Sequence, residues 1–124
     1  MWAAGAGGIV TVASDLASMG VPGLAHYCAA KAGIAGLTRA LAVELAPVVR
    51  VNAVCPGPID TPMLRGGLAQ EADLQRALRE KAATVPLGRL ADPAEVATAI
   101  LFLAFEGTFA TGTTMAFDGG TSAT

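Results

Sequence analysis

Short apolar, β-branched runs alternate with longer helix-compatible stretches along this chain, and polar or glycine-proline clusters separate them. Residues Gly8 to Ala13 (GIVTVA) form the first run, which predicts a buried strand. Ser14 and Asp15 end it, and a loop carrying Gly20, Pro22 and Gly23 follows. From Leu24 to Ala46 the pattern suits one long helix closed by Pro47. Its Ala29, Ala30, Ala32, Gly33, Ala35 and Gly36 let a neighbour come close, so burial on more than one face is expected. Val48 to Cys55 (VVRVNAVC) predicts a second buried strand, stopped by Pro56-Gly57-Pro58.

Residues Ile59 to Gly67 read as irregular, with Gly66 and Gly67 as a hinge. An amphipathic helix is expected from Ala69 to Ala83, with Leu74 and Leu78 on one face and Arg76 and Glu80 in solvent. Asp92-Pro93-Ala94-Glu95 has the form of a helix start: Asp as N-cap, Pro at the first helical position, Glu at the third. That helix runs on through Ala99 to Phe105, and Thr113 to Phe117 is a last strand, ended by Asp118-Gly119-Gly120. The order is strand, helix, strand, lid-like insertion, helix, strand. It predicts an α/β fold with a parallel sheet and right-handed crossovers. Ligands of such folds gather at the carboxyl ends of strands. Ser14 and Pro56-Gly57 sit at two such ends, and Tyr27 starts the helix after the first.

Composition narrows the function classes. The 124 residues are 53% hydrophobic and 15% charged, with net charge −2, which suits one domain with a buried core. No basic cluster is present, which argues against nucleic acid as a partner. The apolar stretch Val96 to Phe105 is too short to span a bilayer. The opening MWAAGAGGIV has no basic leader or cleavage site, so a cytoplasmic protein is expected. Cys28 and Cys55 fit no zinc spacing and are expected to be reduced, partly buried thiols. No metal is expected.

Chemistry concentrates at Tyr27, the only tyrosine, with Lys31 four residues later. Four residues is one turn of helix, so both side chains emerge on one face. An ammonium there stabilises the phenolate and draws the phenol toward acid/base work near neutral pH. His26 points about 100° away on such a helix and reads as a bystander. Asn52 reads as a structural strand residue, Trp2 as packing or a frayed terminus, and Asp118-Gly119-Gly120 as the shaper of the C-terminal turn. Ser18, in the loop, is a weaker alternative to Ser14.

These residues fall into an ordered set: GGIVTVAS ending in Ser14, then YCAAK from Tyr27 to Lys31, then VNAVCPGPIDT. PLGRLADPAEVATAILFLA and TGTTMAFDGG close it. The set resembles the C-terminal half of the short-chain dehydrogenase/reductase family. The resemblance implies the C-terminal part of a Rossmann-like doubly wound parallel sheet, three strands with helices, as a single partial domain over residues 1–124. Its substrate lid would lie at about 58–90.

The resemblance further implies an NAD(P)-dependent oxidoreductase that interconverts a ketone and a secondary alcohol by hydride transfer. Tyr27 would be general acid or base; Lys31 would assist it and hydrogen-bond the nicotinamide ribose; Ser14 would orient the substrate oxygen. Pro56, Gly57, Ile59 and Thr61 match the family's Pro-Gly-x-x-x-Thr element, with the backbone near Ile59 and the Thr61 hydroxyl meeting the nicotinamide carboxamide. The cofactor would be NAD or NADP, the substrate a small carbonyl or alcohol, and the assembly a dimer or tetramer.

The family's glycine-rich turn, Thr-Gly-x-x-x-Gly-x-Gly, has no counterpart: Gly5, Gly7 and Gly8 precede a strand rather than follow one. No asparagine precedes Ser14, and the residue that selects NAD or NADP is absent. A truncated form is therefore expected, inactive unless an N-terminal half supplies the dinucleotide site. The alternative is a non-catalytic fragment that uses the Leu24–Ala46 helix as an interaction or oligomerisation module.

Overall fold

The most continuously apolar run becomes the centre of the molecule. In the computed structural model, which describes residue 1 and residues 5–123, every residue of β2 (Val49–Pro56) except Arg50 is buried. β1 (Gly7–Val12) lies parallel along one edge of it, from Gly7 opposite Val49 to Val12 opposite Val54. β3 (Thr114–Phe117) lies parallel along the other, from Ala53 opposite Thr114 to Pro56 opposite Phe117. The result is a three-stranded parallel sheet in the order β1-β2-β3, as the alternation of strands and helices predicts. Trp2 lies outside the described residues.

The period-2 alternation of β2 assigns its two faces. Val49 and Val51 pack with Ala42, Leu41 and Leu45 of α1 (Ala25–Leu45), the crossover from β1 to β2. Ala53 and Cys55 extend that face against Ile34 and Ala17. Val54 points the other way, into a cluster with Val96, Ala99 and Leu103 along α4 (Pro93–Leu101) and its continuation. Helices therefore cover both faces, which makes this an α/β three-layer arrangement.

α4 starts as its sequence demands. The Asp92 carboxylate accepts from the Ala94 N–H at 2.7 Å, and Glu95 accepts from the Asp92 N–H at 2.9 Å, closing a capping box ahead of Pro93. Beyond Leu101 the helix widens into a π-helical turn at Phe102–Glu106. Arg50 closes its open end: the guanidinium donates to the carbonyls of Ala104 (2.7 Å), Leu103 (2.8 Å), Gly107 (2.9 Å) and Ala110 (3.3 Å). Asn52, fully buried, donates to Ala110 at 2.7 Å and accepts from the Thr113 N–H at 3.2 Å. It is a structural strand residue, as expected.

Four expectations need correction. Residues 59–67 are not irregular throughout: Thr61 accepts from the Leu64 N–H and Pro62 occupies the first position of α2 (Pro62–Gly67). Gly66 and Gly67 finish that helix and form no hinge. α3 (Leu74–Ala83) starts five residues later than expected, because the Asp73 carboxylate caps it by accepting from Arg76 N–H. α1 buries only Ala35, Thr38 and Ala42, whereas Leu37 and Val43 are 53% and 81% exposed. β1 is likewise half-covered, with Val12 exposed, because among the described residues only β2 pairs with it.

Candidate active site

Ser14 and Asp15 are both buried at the carboxyl end of β1. The strand passes directly into a short 3₁₀ turn, Asp15–Ala17, with Ser14 as its N-cap. Cys55 of β2 lies beneath, with the Ser14 backbone N–H turned toward its sulfur. Burial pushes the Cys55 thiol up, and the nearby carboxylates of Asp118 and Asp15 add to that against the Ser14 N–H. Cys55 is buried and Cys28 half-buried, both as free thiols.

α1 brings Tyr27 and Lys31 to the same end. The Lys31 ammonium stands 5.6 Å from the centroid of the Tyr27 ring. It also donates to the Val12 carbonyl at 3.1 Å. That bond ties the helix face carrying Tyr27 to the last residue of β1, two residues before Ser14. Ser14, Tyr27 and Lys31 thus converge on one strand end. His26 is exposed beside them.

The second strand end is built around Gly57. Its N–H donates to the Phe117 carbonyl at 3.2 Å, and a Cβ placed on it would lie 2.8 Å from the Asp118 Cα. Only glycine lets the ends of β2 and β3 approach so closely. Burial pushes the Asp118 carboxyl up, but donors from Ser122 and the Gly120 N–H outweigh it and hold the group below the usual carboxylate range. Asp118 therefore shapes the C-terminal turn, as expected.

Ile59 forms an isolated parallel bridge with Ala91: Asp60 N–H donates to the Ala91 carbonyl and Ala91 N–H to the Pro58 carbonyl. In such pairing the peptide N–H and carbonyl of Ile59 itself face the opposite side. Thr61 accepts at its hydroxyl from Leu64, which leaves its own proton to give. A cavity of about 550 Å³ opens between Gly57, Pro58, Leu87, Arg89 and Phe117. Of the predicted site residues it meets only Gly57, so it is not centred on Tyr27.

Sequence reasoning missed one member of the cluster. Ser14 Oγ donates to Asp15 Oδ1 at 2.8 Å, a contact that only the tight turn after β1 creates. Among the described residues no cluster of His, Cys, Asp or Glu could hold a metal ion. No described helix is long and apolar enough to cross a membrane.

The comparisons agree with this architecture. A family model described as Enoyl-(Acyl carrier protein) reductase matches residues 1–122. The cis-4-hydroxycyclohexanecarboxylate dehydrogenase of Sinomonas cyclohexanicum is 48% identical over 99% of this chain and 48% of its own length. The 3-oxoacyl-acyl-carrier-protein reductase FabG of Thermotoga maritima is 45% identical over 92% of this chain and 45% of its own. Among solved structures, F189W actinorhodin polyketide ketoreductase with NADPH superposes with TM-score 0.92 at 36% identity, covering 100% of this chain and 50% of that one. The chain belongs to the short-chain dehydrogenase/reductase family. It spans about half the length of the curated relatives it matches.

Proposed function

We propose that this chain carries the proton-transfer half of an NAD(P)-dependent oxidoreductase that interconverts a ketone and a secondary alcohol. The observation that carries the reading is the bond from Lys31 to Val12, which holds Tyr27 and its ammonium partner at the strand end where Ser14 caps the 3₁₀ turn. Tyr27 gives its phenolic proton to the substrate oxygen in reduction and takes it back in oxidation. Lys31 steadies the phenolate by its charge. Ser14 orients the substrate oxygen.

The donor set fits a nicotinamide nucleoside. Lys31 commits one ammonium proton to Val12 and keeps two for ribose hydroxyls. The Ile59 peptide group, unused by its bridge, and the Thr61 proton suit a carboxamide. Pro56 and Gly57 set the strand end from which they project. When bound, NAD or NADP supplies or accepts the hydride at the reacting carbon. A solved relative holding NADPH supports a nicotinamide cofactor. The pyrophosphate would be held by a dinucleotide-binding half beyond residues 1–124.

Residues 58–90 act as the substrate lid, their stems pinned where Ile59 meets Ala91. The two curated relatives above are named for a hydroxycyclohexane carboxylate and a 3-oxoacyl group, which supports a small carbonyl or alcohol substrate. The exposed Leu37 and Val43 on α1 favour self-association as a homo-oligomer, and the same face serves the alternative reading of a non-catalytic interaction module.

The test is turnover of cis-4-hydroxycyclohexanecarboxylate and its 4-oxo counterpart with NAD and NADP. It is run on the chain alone and joined to a dinucleotide-binding half. Turnover in the joined form that disappears in Tyr27→Phe supports the enzyme. A well-folded joined form that turns over neither compound, yet self-associates through α1, would support the module instead.

A further inference from the structure

A carboxylate stands beside the serine that orients the substrate oxygen. Ser14 Oγ donates its one proton to Asp15 Oδ1 at 2.8 Å, with both residues buried. The Leu16 N–H donates to the same carboxylate oxygen at 2.8 Å and to Ser14 Oγ at 3.2 Å, so the turn holds both side chains at the carboxyl end of β1. The other oxygen, Asp15 Oδ2, accepts from no described residue. No buried side-chain oxygen among the described residues lacks a partner, so Oδ2 is open to solvent.

The reaction needs the serine proton elsewhere. The carbinol proton goes to Tyr27 and a ketone oxygen carries none, so Ser14 must donate to the substrate oxygen in order to orient it. Substrate binding therefore turns the Ser14 O–H away from Asp15 and leaves the carboxylate one donor short. A largely buried charge without its donors is costly, and a hydrogen bond to a carboxylate is among the stronger ones a hydroxyl makes. The substrate itself returns the donor when it carries a second hydroxyl on the carbon next to the reacting one. The oxygens of a gauche vicinal diol are spaced like two hydrogen-bonded oxygens, which is how Ser14 Oγ and Asp15 Oδ1 stand. One oxygen then meets Ser14 while its neighbour reaches Asp15.

We propose that Asp15 is a specificity-determining residue that accepts from this second hydroxyl, so that the site takes vicinal diols and α-hydroxy ketones in preference to simple alcohols and ketones. The proposal deepens the oxidoreductase reading and rests on it. In oxidation the reacting carbinol loses its C–H hydrogen as hydride to the oxidised nicotinamide and its O–H proton to Tyr27, and becomes a ketone. The neighbouring hydroxyl is unchanged and stays on Asp15, which takes no part in the transfer of hydride or proton.

The test compares cis-1,2-cyclohexanediol with cyclohexanol and with cis-2-methoxycyclohexanol, which keeps the second oxygen but not its proton. Calorimetric titration into the chain joined to a dinucleotide-binding half and loaded with reduced cofactor gives the dissociation constants, because an alcohol cannot react there. The proposal expects wild type to bind the diol roughly tenfold tighter than either comparison alcohol, the size of a hydrogen bond to a charged acceptor. The preference is expected to fall to roughly threefold in Asp15→Asn, which keeps a neutral acceptor, and to vanish in Asp15→Ala. With oxidised cofactor, kcat/KM for the three alcohols is expected to rank in the same way. A merely structural role of Asp15 would weaken all three alike and leave the ratios where they stand.

If Asp15→Ala does not fold, Asp15→Asn decides, and an undiminished diol preference in it would overturn the proposal. Equal affinity of wild type for the three alcohols, or a preference that survives in Asp15→Ala, would also overturn it, while wild-type turnover of any alcohol keeps the enzyme reading standing. Absence of wild-type turnover of every alcohol, cis-4-hydroxycyclohexanecarboxylate included, would remove that reading and this proposal together.

Discussion

Arg50 fastens the end of α4 to the central strand, with one guanidinium serving four backbone carbonyls. Removing it leaves acceptors at the end of the π turn without their charged donor, which at about 1–3 kcal/mol per group is a large part of the stability of a small domain. Arg50→Met is expected to lose about 2–4 kcal/mol, read as a lower urea midpoint at unchanged slope. Gly57 sets a different limit. A methyl there meets the Asp118 backbone at 2.8 Å, so Gly57→Ala is expected to lose about 1–3 kcal/mol through overpacking. An unchanged midpoint would show that the ends of β2 and β3 separate freely. The residue scale is also where reading the sequence fell short. Tyr27 and Lys31 were visible from a one-turn spacing, but the grip of Arg50 spans 53 to 60 residues of chain. The Ser14–Asp15 bond depends on a turn geometry that adjacency alone does not reveal.

At the scale of elements, the signals that could be read were local ones. The start of α4 was legible because its capping box lies within four consecutive residues. The start of α2 could have been read too, from Thr61 and Pro62, had two glycines not suggested irregularity. The exposure of α1 was not legible: small residues permit close packing without supplying the partner that packs. The ion pair at the head of α4 carries a pH signature. Arg89 donates to both Glu95 oxygens, at 2.7 and 2.8 Å. That bond, with the Asp92 N–H, lowers the Glu95 carboxyl from its ordinary 4.5 to about 2. A depressed carboxyl stabilises the fold above its unfolded value and loses that contribution as pH falls through the folded one. The Glu95 side-chain carbon is therefore expected to titrate by NMR near pH 2, and to return toward 4.5 in Arg89→Ala. Asp92→Ala, which removes the cap itself, is expected to lose about 1 kcal/mol in urea unfolding.

At the scale of the whole molecule, three parallel strands with helices on both faces place two loop clusters at adjacent strand ends. One presents Ser14, Tyr27 and Lys31; the other presents Gly57, Ile59 and Thr61. This layout was legible in the sequence because the alternation of strands and helices dictates it. The half-covered state of β1 was not, because burial depends on what lies beside the strand. The central claim is that Tyr27 moves the proton that accompanies hydride transfer in this layout. The most direct measurement follows deuterium from the 4-position of the reduced nicotinamide to the carbinol carbon of the product, in the chain joined to a dinucleotide-binding half. The account predicts deuterated alcohol from wild type, and a rate lower by roughly 10²-fold or more in Tyr27→Phe with cofactor binding retained. Deuterium transfer at an undiminished rate in Tyr27→Phe would contradict it.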